Sequence, residues 1–302
     1  MATAPIEPDG DVYAPRHDVP VGGRSGFTLI DGRQVHYLEW GTVRAPNVLC
    51  LHGGGQTAYM YEELGAALAP NYHVLAPDLP DHGDSDPIES TGDRHALAAT
   101  LPPLSDEFGI APAVVVGASL GGITAITLAA ARPDLVGAIV LIDIGHRLEE
   151  EGVRRIIDFM RAHESFASLD EAAAEISRYL PQRKKVRGES LTRNLRQRPD
   201  GRWIWKHGMA RRWRDEGGSE EMPDWRNILE GLADDAASLR CPVLVLRGGK
   251  SDVLSDQGAT EIAEIIPDSR LRTVANAGHL AAGDNPESTV GLIRAFVAEI
   301  GW

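Results

Sequence analysis

A serine set between glycines, Gly117-Ala118-Ser119-Leu120-Gly121, falls where the apolar run "AVVVGA" ends and a helix-like run begins. A serine hydroxyl is a weak nucleophile until a base stands beside it. A G-x-S-x-G turn between a strand and a helix is a nucleophile elbow. It lifts the hydroxyl above the strand end and aims the first helical amides at whatever the serine attacks. The chemistry open to Ser119 is therefore acyl transfer. The rest of the chain has to supply a base, an acid that orients it, and donors for an oxyanion.

The base expected from chain order is His279, in "ANAGHLAAGDNPE", between the last predicted strand and the closing helix. Nine other histidines compete, with His146 the nearest rival. The expected acid is Asp252 in "VLVLRGGKSDVLS", which would accept from the imidazole and stabilise the imidazolium. Asp143 in "VLIDIG" is the second candidate; the order Ser119, Asp252, His279 favours Asp252. Oxyanion donors are expected from the glycines of "LHGGGQT", with Gly54 foremost and Gly53 and Gly55 beside it, and from the amide of Leu120. Losing one such donor costs about 10²–10³ in rate.

Two other patterns fail on spacing. "GGKS" suggests a phosphate loop, but the glycine required five residues before Gly249 is Leu244, inside an apolar run. "DLPDHGDSD" packs four carboxylates and a histidine into nine residues without calcium-loop or zinc spacing, and reads as a structural loop. No metal and no organic cofactor is expected.

These groups must be held by regular elements. "GFTLI" and "QVHYLEW" around "DGR" read as a hairpin, and "NVLCLH", "YHVLAP", "AVVVGA" and "VGAIVLID" as buried strands. Helical runs lie between them, with Pro102 and Pro103 bending or breaking one. From about residue 146 to 235 strand patterns disappear. Val153, Ile156, Ile157 and Met160 share a helical face there, and "SLDE" forms a capping box before "AAAEISRYL". Strand–helix alternation then resumes through "CPVLVLRG" and "SRLRTVA" to a final helix. Such alternation implies a mostly parallel sheet covered by helices on both faces.

Charge divides the chain at the same places. Of its 302 residues, His146 to Asp235 hold 18 basic and 18 acidic residues, leaving 12 and 26 elsewhere. The net charge of −14 argues against nucleic acid and anionic membranes as partners. No run reaches the roughly 18 apolar residues of a membrane span. Residues 1–25 carry no secretory apolar core and read as an irregular arm. Cys50 and Cys241 sit in or beside apolar strands and read as free thiols, which fits a cytoplasmic setting.

Taken together, "LHGGGQT", "VLAPDLPDHGDSD", "VVGASLGGITA", "VLRGGKSDVLS" and "NAGHLAAGDNP" resemble the α/β-hydrolase superfamily across residues 26–300. The resemblance implies a catalytic triad of Ser119, Asp252 and His279. It implies a core of residues 26–145 and 236–302, with residues 146–235 a helical cap inserted after the sixth main strand. A serine nucleophile sets the chain apart from the dehalogenase and epoxide-hydrolase branches. The implied activity is hydrolysis of a carboxylic ester or lactone of a small, largely apolar molecule. The competing readings are hydrolysis of a carbon–carbon bond in a diketone or dienone acid, and a ligand-binding relative without turnover. The branch that cleaves carbon–carbon bonds often has Pro-Gly-Ala after its glycines, where Gln56-Thr57-Ala58 stands here. In the insert, Trp203 and Trp205 are candidates for the substrate pocket, with Trp213 and Trp225 further along. The sequence says nothing of oligomeric state.

Overall fold

In the computed structural model, residues 20–90, 92–181, 183, 186–208 and 225–302 are described. An eight-stranded sheet organises them. Its strands are β1 (Gly23–Ile30), β2 (Arg33–Trp40), β3 (Asn47–Leu51), β4 (His73–Pro77), β5 (Ala113–Ala118), β6 (Val136–Ile142), β10 (Val243–Gly248) and β11 (Ser269–Val274). The order across the sheet is β1-β2-β4-β3-β5-β6-β10-β11. β2 pairs antiparallel with β1 and β4, and the remaining pairings are parallel. The β1–β2 hairpin turns through Asp31 and Gly32, both at positive φ (52° and 75°). An Asp-Gly pair meets that demand at least steric cost.

The helices are α1 (Glu62–Leu68), α2 (Arg94–Ala98), α3 (Leu101–Phe108), α4 (Leu120–Ala131), α5 (Glu150–Ala162), α6 (Leu169–Tyr179), α7 (Leu232–Ser238), α8 (Asp256–Ile265), α9 (Ala281–Asp284) and α10 (Pro286–Glu299). Pro102 and Pro103 fall in the first turn of α3, so they mark a break after α2 and a restart. A first-turn proline loses no helical hydrogen bond.

Every residue of β4, β5 and β10 is buried, as their apolar runs require; the polar exceptions, His73 and Arg247, are met by Glu39 (2.8 Å) and Leu254 O (2.9 Å). Alternate side chains feed two cores. Val115, Ile139 and Val245 meet α4, α7 and α8 on one face; Val114, Val116 and Val140 meet α1 and α10 on the other. Cys50 and Cys241 are free thiols.

Between β6 and α7 the chain leaves the sheet. α5 and α6 accompany three short strands, β7 (Ser165–Phe166), β8 (Leu195–Gln197) and β9 (Trp203–Trp205), paired antiparallel as β7-β9-β8. The sequence pattern predicts no strands here. Runs of two or three residues are too short for alternation to register. Ser168 caps α6, its Oγ accepting from Glu171 N–H at 3.1 Å, while the Glu171 carboxylate accepts from Ala167 N–H. Phe166, Ala172, Ile176, Leu195 and Trp205 form a third, smaller core.

This segment is bound to the sheet by polar contacts. Lys206 Nζ reaches Asp84 at 2.8 Å, Gly208 N–H donates to Asp81 O at 3.0 Å, and Arg193 grips both oxygens of Glu62. The "DLPDHGDSD" loop is thus part of its seat. Asp78 holds that loop together by accepting from Ala58 N–H (2.7 Å), Asp84 N–H (3.0 Å) and His36 Nδ1 (2.7 Å). Burial alone would raise the Asp78 pKa, but the hydrogen bonds from His36 and Ala58 N–H hold it below its ordinary value. His36, Asp78 and Asp84 bring three ligand-type atoms within 4.8 Å of one another. The Lys206 ammonium on Asp84 opposes a cation there, which fits the structural reading of the loop.

Candidate active site

Ser119 sits at the carboxyl end of β5 with φ 48° and ψ −114°, a conformation that L-residues rarely adopt. Three backbone bonds hold it there: Ser119 N–H to Ile142 O (3.1 Å), and Gly122 and Ile123 N–H to Ser119 O (2.8 and 3.0 Å). The turn tolerates no side chain at two of its glycines. A Cβ on Gly117 would lie 2.4 Å from Gly121 O, and one on Gly121 would lie 2.0 Å from Leu51 O. Leu120 opens α4, so its N–H has no acceptor within the helix.

Ser119, Leu120, His279 and the three glycines 53–55 line one cavity of about 1100 Å³ at the carboxyl edge of the sheet. The glycine loop is pinned from behind by His52. Its Nδ1 donates to Gly53 O at 2.9 Å and its Nε2 accepts from Leu79 N–H at 2.8 Å, which fixes the tautomer. Burial lowers the His52 pKa against the pull of Asp78, so the ring stays neutral. His52 stands in the "LHGGGQT" run, but only the surrounding fold reveals its bracing role.

His279 Nδ1 meets Asp143 Oδ2 at 2.8 Å. Asp143 follows β6, is completely buried, and also accepts from Gly248 N–H (2.8 Å) and Ser251 Oγ (2.5 Å). The expected partner, Asp252, lines the same cavity but has no hydrogen bond to His279. Its carboxylate is 39% exposed and pairs with Arg155 of α5. The structure thus brings Asp143, and not the expected Asp252, to the histidine. Chain order does not discriminate, since 143 and 252 both lie between 119 and 279. The informative signal is a lone carboxylate ending an otherwise apolar strand, because a buried charge there must be met by partners from neighbouring strands. Ser251 and Gly248 are those partners. On the other side of His279, Gly278 N–H donates to the buried Asp284 at 2.9 Å, which fixes the loop.

The segment between β6 and α7 closes over this edge. Val153, Ile156, Ile157 and Met160, the apolar stripe of α5, all line the cavity. Trp205 lines it too, with its Nε1–H donating to His163 O at 2.7 Å. Trp203 does not. It lies opposite Phe166 and Gln197 in the small sheet and packs into the third core. Trp213 and the side chain of Trp225 lie outside the described residues.

A half-buried strand-to-helix serine, a histidine held by a carboxylate from the next strand, and a glycine loop lining the same cavity define a hydrolase-type site on an α/β sheet. The family model described as "alpha/beta hydrolase fold" matches residues 46–286, and the chain belongs to that family. It is 31% identical over 268 residues to esterase Rv0045c of Mycobacterium tuberculosis, covering 85% of this chain and 84% of that one. A solved structure of that esterase superposes with a TM-score of 0.71 at 28% identity, covering 91% and 92% of the two chains. The chain is also 28% identical over 266 residues to the mouse sn-1-specific diacylglycerol lipase ABHD11, covering 85% and 83%. The protein is a hydrolase. Among the described residues no helix is long and apolar enough to cross a membrane.

Proposed function

We propose that the protein hydrolyses a carboxylic ester or lactone through an acyl-enzyme on Ser119, with His279 as base, Asp143 as orienting acid and residues 146–235 as a cap. The observation that carries this reading is the 2.8 Å contact between His279 Nδ1 and Asp143 beside the cavity that Ser119 lines. With Nδ1–H committed to Asp143, Nε2 is the nitrogen left to accept the Ser119 proton.

Ser119 Oγ attacks the carbonyl carbon as its proton passes to His279 Nε2. The carbonyl oxygen becomes an oxyanion, received by the amides of Leu120 and Gly54. Collapse expels the alcohol, which takes the proton from His279. Water then attacks the acyl-enzyme, giving its proton to the same nitrogen, and the acid leaves as Ser119 recovers its proton. The apolar stripe of α5 suits a hydrocarbon portion of the substrate. A cavity of about 1100 Å³ exceeds the roughly 300–1,000 Å³ typical of drug-sized ligands, so the expectation of a small substrate widens to a medium one.

The test is a panel of p-nitrophenyl esters, lactones and a dienone acid, run with a fluorophosphonate probe on the wild type and Ser119→Ala. The expected result is labelling at Ser119 and ester or lactone turnover, both lost in the variant. Labelling without turnover on any acyl substrate would return the site to a binding role. Turnover of the dienone acid alone would mark carbon–carbon hydrolysis.

A further inference from the structure

The cavity is far more basic than the molecule that contains it. Among the described residues lining it, Arg155, Arg178, Arg183, Arg187, Arg193 and Lys250 are cations, and Asp252 is the single carboxylate. The chain as a whole carries −14. A cleft of one sign with low-dielectric walls focuses its field and concentrates the opposite charge.

These cations are not equivalent. Arg155 is paired with Asp252, Arg178 with Glu175 and Arg193 with Glu62. Arg187 and Lys250 are exposed and can be satisfied by water. Arg183 differs from both groups. Its side chain is only 29% exposed, and its nearest carboxylate oxygen, on Asp284, is 4.0 Å away, beyond hydrogen-bonding reach. Among the described residues its five donors make no hydrogen bond. The guanidinium packs its Nη2 end against Gly283, where an added Cβ would fall 1.9 Å from Nη2. It therefore stands over the loop that carries His279. Burial pulls its pKa below the ordinary value even with the Asp284 and Glu63 charges nearby, so the cation is under-compensated where it lies.

Resting on the esterase reading above, we infer that the substrate bears a carboxylate in addition to its scissile carbonyl, and that Arg183 is the specificity residue that receives it. A planar guanidinium offers a carboxylate two parallel N–H donors, so binding there would satisfy groups that the protein leaves unspent. The apolar stripe of α5 and this cation then divide the substrate into a hydrocarbon part and an anionic end. A carboxylate in the acyl part and one in the leaving alcohol present the same chemistry to Arg183, and the test below tells them apart.

Two matched pairs of esters test this. Mono-p-nitrophenyl adipate against its methyl diester places the charge on the acyl side; 4-carboxyphenyl butyrate against its methyl ester places it on the alcohol side. In the wild type, kcat/KM is expected to favour the charged member of one pair by about 10- to 100-fold, the range of one charge-assisted hydrogen-bonded pair. The preferred pair identifies the side. Arg183→Gln is expected to bring that ratio close to one through loss on the charged ester, and Arg183→Lys to keep part of it. Raising the salt concentration should shrink the wild-type preference.

Neutral esters turned over with no preference in either pair would overturn this inference while leaving the esterase reading intact. So would equal loss on charged and neutral esters in Arg183→Gln, the signature of an arginine that only balances Asp284. Turnover of none of the four esters, with Ser119 unlabelled by fluorophosphonate, would overturn both readings.

Discussion

Replacing Asp143 with asparagine separates the two candidate acids most sharply. One carboxylate oxygen receives Gly248 N–H, and the other receives His279 Nδ1 and Ser251 Oγ. An asparagine has a single acceptor oxygen, and its two orientations fail differently. With the oxygen towards Gly248, the amide NH₂ faces His279. Nδ1 must then become an acceptor, its proton moves to Nε2, and that nitrogen can no longer take the Ser119 proton. With the oxygen towards His279, the NH₂ opposes Gly248 N–H at a completely buried position, at a cost of about 1–3 kcal/mol for the unsatisfied donors. The expected loss in kcat for Asp143→Asn is about 10³- to 10⁴-fold, the size seen when a catalytic histidine is forced into the wrong tautomer. Asp252→Asn removes a solvent-screened pair with Arg155, whose side chain is 62% exposed. Such pairs contribute about 0–1 kcal/mol, and kcat should stay within about fivefold of wild type. Initial rates on a short p-nitrophenyl ester, with thermal melting to confirm folding, give both numbers. A thousandfold loss in Asp252→Asn with less than tenfold in Asp143→Asn would refute the assignment.

Gly121→Ala places a methyl group 2.0 Å from Leu51 O, a backbone atom with no freedom to yield. A drop in unfolding free energy of at least about 2 kcal/mol is expected by urea titration, with loss of fluorophosphonate labelling. Arg94, buried beside Thr127, Glu230 O and Asp235, ties α2 to α4 and α7. Arg94→Met should cost about 2–4 kcal/mol in the same assay, towards the lower end because Asp235 can reach water. His52 has a folded-state pKa below its ordinary 6.5. Below pH 6.5 the unfolded chain therefore takes up a proton that the folded ring refuses, and stability falls as the pH is lowered from there towards the folded value. Urea midpoints at pH 7.5 and 5.5 should differ less in His52→Gln than in the wild type; equal drops would contradict the role given to this ring.

Much of the architecture was legible because the buried strands are continuous apolar runs and the punctuation is chemically explicit. Asp31-Gly32 marks a hairpin, the proline pair marks a helix start, and Ser168 with Glu171 marks a cap. The serine turn was legible for the same reason: small residues on both sides of Ser119 are what the backbone crowding demands. What could not be read is what depends on contacts between distant segments. Asp143 and Asp252 look alike in the sequence, each following a strand and each preceding His279. Only the register of β6 beside β10 brings Gly248 and Ser251 onto one of them. The small sheet of the insert escaped because its strands are shorter than the pattern that reveals strands. The arginines of the insert are plain to see, and the pairing of Arg178 with Glu175 one helical turn earlier is local, but nothing local says that Arg183 packs against Gly283.

The loop that follows β10 takes on a different meaning once Asp143 holds the histidine. Glu149 N–H donates to Val253 O at 2.8 Å, Gly152 lies so close to Asp252 O that a Cβ would stand 2.1 Å away, and Arg155 closes on the Asp252 carboxylate. That loop is a mooring for the first helix of the insert. The same short loop thus serves two neighbours at once: Ser251 Oγ donates to Asp143, and the next two residues, Asp252 and Val253, hold α5. On the proposed reading, any change in how the insert is moored would reach the acid beside His279 through Ser251.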